Sequence, residues 1–367
     1  MELILHIPYE LLTLILNFLD TSSIFSLSVT SKKYVRHRII RLLLRKKRIT
    51  SIRFNAISNG YSDLLKWLIS SEEVIRIANK LYTRLAAKEG HLDILVYLYE
   101  NGCKWDSQTC LNAVVKDHLE IIKYLRTKFC ENGWPLGTVL CMNAAKFGHL
   151  EVLKYLHETG CHWNDTSCMN AAEFGHLEVL QYLHENGCEW YEDTCVNATK
   201  NGHLEVLKYL HENGCFWDEE ACYYAARFGH LEVLKYLHEN GCPWDANVCS
   251  QACKSDNLDI LKYLHENGCP WDQYAWLYAI EKGDDTEIIK YLHENECPWD
   301  DYVLNTFAEK GDLEALKIIH KIGRLWDKSF TVRASGEKLT KIVEYLSNNG
   351  FQCNECEYGI YCKGQNG

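Results

Sequence analysis

The sequence predicts an all-α chain, most of it a solenoid, on three observations. The string GHLEVLKYLHENGC stands at 202–215 and again, letter for letter, at 229–242, with near-copies at 148–161 and 175–188. The aromatic of the KYL triplet recurs at Trp67, Tyr97, Tyr124, Tyr155, Tyr182, Tyr209, Tyr236, Tyr263 and Tyr291, then passes through Ile318 to Tyr345. That makes eleven copies on a base period of 27 residues. Only 5 prolines interrupt the 367 residues, and apolar positions recur at helical spacing. Self-similarity at a fixed period of this size signals stacked supersecondary units.

The chain opens outside the repeat. Ile7-Pro8 ahead of Glu10 suits a helix start with proline in its first turn. Leu11, Leu12, Ile15, Leu16 and Leu19 follow at helical spacing. Asp20 to Ser23 form a turn with capping residues, and Ile24, Leu27 and Val29 begin another apolar segment. These apolar residues are too many for the single buried side of a terminal cap, so residues 1–46 are expected to meet a partner.

Residues 47–53 read as a basic linker. Residues 1–53 carry ten Lys and Arg against Glu2, Glu10 and Asp20, a balance of +7. The remainder of a chain whose net charge is −11 therefore carries −18. An acidic repeat region argues against nucleic acid as the main ligand. No run reaches the roughly 18 apolar residues of a membrane span. Residues 3–19 lack a basic leader, so no signal peptide is expected.

Residues 54–350 hold the repeats. One unit, 217–242, reads WDEEACYYAARFGHLEVLKYLHENGC. Asp218 can accept the orphan amides of a first turn. Ala225 and Ala226 allow a neighbouring helix close, and Gly229 ends the first helix in positive φ. Leu231, Val233, Leu234, Tyr236 and Leu237 give the second helix a broad apolar face, and Gly241 closes it. Two helices of this length are marginal alone and need stacked neighbours. His149, His176, His203 and His230 open second helices, where other copies place Asn257, Asp285 and Asp312, and are expected to act as caps. His157, His184, His211, His238, His265 and His293 lie near helix ends, where a cation is favoured.

Most of the 18 cysteines obey the repeat. One slot holds Cys103, Cys161, Cys188, Cys215, Cys242, Cys269 and Cys297; another holds Cys110, Cys168, Cys195, Cys222 and Cys249. Equivalent slots on stacked helices lie roughly 8–10 Å apart, beyond the about 7 Å Cα separation a disulfide tolerates. Reduced, buried thiols are expected, which suits a cytosolic or nuclear setting. The tail 351–367 has left the repeat. Its Cys353, Cys356 and Cys362 include one CxxC with no fourth ligand nearby, and a frayed cap is expected there. No nucleophile elbow, phosphate loop or metal constellation stands outside the repeat, so neither an enzyme nor a cofactor or metal site is expected.

The unit AAxxGHLEVLKYL…G, with a threonine at the start of its first helix (Thr109, Thr166, Thr194), resembles an ankyrin repeat. The departure is length, since ankyrin repeats run to about 33 residues. The missing residues fall where that family projects its hairpin finger, and short turns are inferred instead. The family's apolar loop position is Trp here (Trp105, Trp163, Trp190, Trp217, Trp244, Trp271, Trp299, Trp326), and a structural ladder between repeats is expected. The resemblance implies that the two residues before the glycine of AAxxG face a concave binding surface. Those pairs are Lys146-Phe147, Glu173-Phe174, Lys200-Asn201, Arg227-Phe228, Lys254-Ser255, Glu281-Lys282 and Glu309-Lys310, with Tyr223 and Tyr224 on the same helix as Arg227-Phe228. Exposed aromatics beside cations are what interface hot spots look like.

The N-terminal string resembles an F-box. IPYELL, IL, LD, IFSLS and TSKKY follow that pattern without a gap over about 30 residues; Ile7 replaces Leu, Ser23 replaces Asp and Tyr34 replaces Phe. The expected fold is thus a three-helix F-box followed by an ankyrin-like solenoid. The F-box resemblance implies that Ile7, Pro8, Leu11, Leu12, Ile15, Leu16, Leu19, Ile24, Leu27 and Val29 bury against a Skp-type adaptor of a cullin–RING ubiquitin ligase. The solenoid would then hold an unidentified protein substrate, with no nucleic acid and no membrane involved. The pairing of the two modules is similar to proteins of large DNA viruses that redirect host ubiquitination, which implies a monomer acting in host cytoplasm, with the nucleus as a further setting. The alternative is an ankyrin scaffold or competitive inhibitor without ligase recruitment.

Overall fold

A computed structural model of the chain describes residues 49–70, 80–128, 137–282, 287–325, 328–356 and 359–364. The module expected over 1–46, with every residue assigned to the adaptor, lies outside the described residues. Two compact units are present: one runs to Ala171 and includes Glu178–Glu189, and the other holds Ala172–Leu177 and the chain from Trp190 onward.

Helices come in pairs, first and second helix of each repeat. They are α1 (Ile49–Ser58) with α2 (Ser62–Ser70), α3 (Lys80–Glu89) with α4 (Leu92–Glu100), α5 (Ser107–Val115) with α6 (Leu119–Lys128), and α7 (Gly137–Lys146) with α8 (Leu150–Glu158). Next come α9 (Asp165–Glu173) with α10 (Leu177–Glu185), α11 (Glu192–Lys200) with α12 (Leu204–Glu212), and α13 (Glu219–Phe228) with α14 (Leu231–Glu239). Then α15 (Ala246–Lys254) pairs with α16 (Leu258–Glu266), α17 (Gln273–Lys282) with α18 (Glu287–Glu294), and α19 (Asp301–Lys310) with α20 (Leu313–Lys321). Because α1 begins at Ile49, residues 49–53 of the expected linker are helical, and Arg53 is buried.

In the first unit α1, α3, α5 and α7 pack as one row of first helices, and α2 on α4 and α6 on α8 as second helices. In the second unit the first-helix row runs α11, α13, α15, α17, α19, with α12 on α14 and α16 on α18 behind it.

The local causes are visible in α13 and α14. The Asp218 carboxylate accepts from the Glu220 amide at 3.0 Å, Glu219 and Glu220 lie at the positive end of the helix dipole, and Gly229 ends it at φ 82°. Ala221, Cys222, Ala225 and Ala226 are buried, so small side chains line the approach of neighbouring helices. From α14 the core receives Val233, Leu234 and Leu237, each worth about 1.5–3 kcal/mol of burial.

The last copy departs from the expected all-α pattern. Strand β1 (Ser329–Val332) stands where a first helix was expected; α21 (Gly336–Asn348) follows, then β2 (Phe351–Cys356) and β3 (Gly359–Gly364). The antiparallel sheet has order β1-β3-β2, with Phe330 opposite Cys362 and Cys353 opposite Cys362. Alternation explains the change of element, since Phe330 and Val332 are buried while Ser329 is exposed. Phe330 meets Phe351 edge-on at 5.9 Å. Gly359 is obligatory, because a Cβ there would lie 2.3 Å from the Val332 carbonyl oxygen. β1 lies on α19 and β2 on α21. The tail is therefore an ordered sheet rather than a frayed cap, and Cys353 and Cys362 are joined as a disulfide across β2 and β3.

Among the described residues no helix is long and apolar enough to cross a membrane.

Candidate functional site

The exposed side of the first-helix row is built by helical spacing. In YYAARF helical spacing divides the residues cleanly: Ala225 and Ala226 go to the core, while Tyr223 and Arg227, and Tyr224 and Phe228, each four apart, lie on the exposed face. Arg227 Nη1 donates to the Tyr223 hydroxyl at 3.0 Å, and its guanidinium lies 5.9 Å from the Phe228 centroid. Tyr223 meets Tyr224 edge-on at 5.1 Å, and Tyr224 stacks with Phe228 at 6.2 Å. Phe228 remains 50% exposed.

The same face continues to neighbouring helices of the second unit. Lys200 Nζ, at the end of α11, sits 4.0 Å above the Tyr224 ring. Lys254 Nζ, at the end of α15, sits 4.8 Å from the Tyr278 ring of α17. Phe174 belongs to this unit and is 41% exposed. Phe147 belongs to the first unit; it is 42% exposed and stacks on the His149 ring at 6.0 Å. The structure thus brings together Tyr223, Tyr224, Arg227 and Phe228, with Phe147 in a different unit.

Sequence reading placed Lys200 and Lys254 in the paired slot of this face but passed over Tyr278. The signal was available: Tyr278 occupies the same repeat slot as Tyr224, and the two lysines the same slot as Arg227. Phe216 was also missed. At 83% exposure it stands in the link between α12 and α13, in a slot where other copies hold Lys104, His162, Glu189 and Pro243.

The other repeated residues are structural. Trp217 lies tilted against His211 with ring centroids 4.0 Å apart, and His211 Nδ1 is hydrogen-bonded to the Tyr236 hydroxyl of the next second helix at 3.0 Å. Trp163, His157 and Tyr182 repeat this in the first unit, as do Trp244, His238 and Tyr263 in the second. Trp105, Trp163, Trp190, Trp217, Trp244, Trp271 and Trp299 are half-buried, and Trp326 lies outside the described residues.

The capping histidines are a correction. His149, His203 and His230 make no side-chain cap bond; each Nε2 instead donates to a carbonyl of a preceding repeat, at 3.2 Å to Val115, 3.0 Å to Glu173 and 3.0 Å to Lys200. Asn257 and Asp312 do cap, accepting from Ile260 and Ala315 amides. An imidazole reaches past its own helix end where a shorter Asn or Asp folds back.

The repeat thiols are free and buried, as expected. Cysteines of the two slots meet within a repeat, and Cys195 is hydrogen-bonded to Cys215, Cys222 to Cys242 and Cys249 to Cys269. That contact and burial together hold the Cys195, Cys222 and Cys249 thiols well above their ordinary range. The loop thiol also points to a backbone carbonyl at the start of its own repeat, as Cys242 to Asp218 at 3.2 Å. Among the described residues no group of three or more His, Cys, Asp or Glu could hold a metal ion.

A family model described as ankyrin repeats (3 copies) matches residues 83–167, 111–194, 168–251 and 195–275. A model described as the F-box domain matches residues 4–34. No curated protein matches the chain.

Proposed function

The chain belongs to the ankyrin-repeat family, and from that premise, with an F-box domain matched at residues 4–34, we propose a non-catalytic substrate receptor of a cullin–RING ubiquitin ligase. The observation that carries the reading is the presence of both modules in one chain. The F-box recruits a Skp-type adaptor through Pro8, Leu11, Leu12, Ile15, Leu16 and Leu19. The repeats hold a protein target, and ubiquitin transfer is left to other subunits by proximity. On this reading the protein acts in the cytoplasm, in the manner of viral proteins that redirect host ubiquitination.

A pull-down from eukaryotic lysate tests it, comparing the intact chain with a Leu12→Asp/Leu16→Asp variant. Adaptor and cullin are expected with the intact chain alone, while other partners persist with both. Adaptor capture that is absent from both overturns the receptor reading. Ser23 and Tyr34 depart from the F-box pattern and favour a second reading, a scaffold that holds a target without recruiting a ligase.

A further inference from the structure

We infer that the exposed face of α11, α13 and α15 binds an extended acidic segment of a protein partner and reads its carboxylates one per repeat. This rests on the reading of the repeats as the target-holding part.

Three successive first helices present a cation in one repeat slot: Lys200, Arg227 and Lys254 stand 27 residues apart. None of the three forms an ion pair among the described residues; their contacts are with aromatic rings and the Tyr223 hydroxyl. The second helices show the contrast. There Lys208 and Lys235 are each held by a glutamate three residues earlier, at 2.8 Å. Residues 54–367 carry a net −18, so acidic partners were available and these three cations were left without one. A ring face positions an ammonium without neutralising it. Tyr224 and Tyr278 thus fix Lys200 and Lys254 while leaving their charge for a ligand.

The spacing gives the ligand its form. Packed helices stand about 8–10 Å apart, and a polyproline-II segment advances about 3.1 Å per residue with three residues per turn, so every third side chain shares one face. Carboxylates on every third residue of such a segment would meet successive cations. An apolar residue between them would rest on Phe228, which is half exposed. The patch is short. The next slot holds Glu281, already paired to Lys310 at 2.8 Å, and the preceding one holds Glu173. Three cations bounded by acid on an acidic chain favour a short acidic peptide over a long polyphosphate.

The test uses the full chain and fluorescence anisotropy at low salt. The probes are a labelled peptide with glutamate at every third residue and leucine between, its glutamine counterpart, the same composition with glutamates contiguous, and a single-stranded oligothymidylate. The spaced peptide is expected to bind at least tenfold tighter than the other three. Lys200→Glu/Lys254→Glu should weaken it at least tenfold, while Lys208→Glu on the second-helix side leaves it unchanged. Equal binding of spaced and contiguous peptides, tighter binding of the oligonucleotide, or insensitivity to Lys200→Glu/Lys254→Glu overturns the inference. If lysate targets are still captured by that double variant, the inference falls while the receptor reading stands.

Discussion

The imidazole of His203 lies against the α-carbon of Gly175. A Cβ built on Gly175 would come within 2.6 Å of Nδ1, while Nε2 of the same ring is 3.0 Å from the Glu173 carbonyl oxygen. Gly60 with His91, Gly90 with His118 and Gly202 with His230 repeat the relationship. The Gly-His dipeptide therefore joins successive repeats: the glycine ends one first helix in positive φ and leaves room for the histidine of the next repeat. The repetition of the string follows from stacking.

Two glycines of like conformation separate the causes. Gly202 has φ 74° and would set a Cβ 2.5 Å from His230; Gly214 has φ 83° and open space within 4 Å. Gly214→Ala is expected to cost about 1–2 kcal/mol, the left-handed penalty alone. Gly202→Ala should cost about 1–3 kcal/mol more through overpacking. Urea titration measures both, and Gly202→Ala/His230→Ala should recover the overpacking part. Equal costs for the two single variants would refute the joint.

The aromatic ladder makes a second prediction. His238 Nδ1 is hydrogen-bonded to the Tyr263 hydroxyl at 2.9 Å and the ring stacks on Trp244 at 3.8 Å. Burial raises the Tyr263 hydroxyl above its ordinary range, keeping it protonated at neutral pH. Tyr263→Phe should lower stability by about 1 kcal/mol. Tyr302→Phe, at a tyrosine 48% exposed, should fall within about 0.5 kcal/mol of the parent. A Tyr263→Phe chain as stable as the parent would remove the ladder bond from the account.

Thiol reactivity reads the cysteine packing. Among the described free cysteines Cys356 is exposed and the others are buried. Desolvation pushes Cys110 and Cys297 up to about 12, leaving little thiolate at neutral pH. Alkylation of the native chain followed by peptide mass spectrometry should find Cys356 modified, Cys222 and Cys249 protected until denaturation, and Cys353 and Cys362 protected until reduction. Native labelling of Cys222 at the rate of Cys356 would contradict the buried pairs.

Acid should release one specific link. Asp106 caps α5 and receives Arg84 through both carboxylate oxygens, Nε to Oδ1 at 3.1 Å and Nη2 to Oδ2 at 2.5 Å. The Arg84 hydrogen bonds hold this carboxyl below its ordinary value. A depressed folded pKa stabilises above the ordinary carboxylate range and is lost as pH falls through the folded value. The parent should therefore lose stability below about pH 4 more steeply than Asp106→Asn. Identical acid limbs in thermal melts would exclude the link.

The helix pairs, the Asp218 cap and the closing glycines were legible because each is a local signal, carried by residues a few positions apart. The histidine role was not. A residue in front of a helix reads as a cap, and its carbonyl partner some 30 residues back is visible only once repeats stack. The cysteine pairing was hidden for a similar reason: distances along each ladder said nothing of the approach between ladders within a repeat. The C-terminal sheet escaped because period matching carried the repeat through 328–350, although the alternation of Phe330 and Val332 marked a strand. At the candidate face, the aromatic cluster around Arg227 could be named from the sequence, whereas the flanking Lys200 and Lys254 gained meaning from the rings beneath them.

The most direct test of the receptor account is a binding titration of the purified full-length chain with a purified Skp-type adaptor, using the Leu12→Asp/Leu16→Asp chain as comparison. The account predicts saturable one-to-one binding by the parent and at least a tenfold loss in the variant, with both chains equally helical by circular dichroism. Absence of binding by a folded parent chain, or binding that ignores the two substitutions, would contradict it.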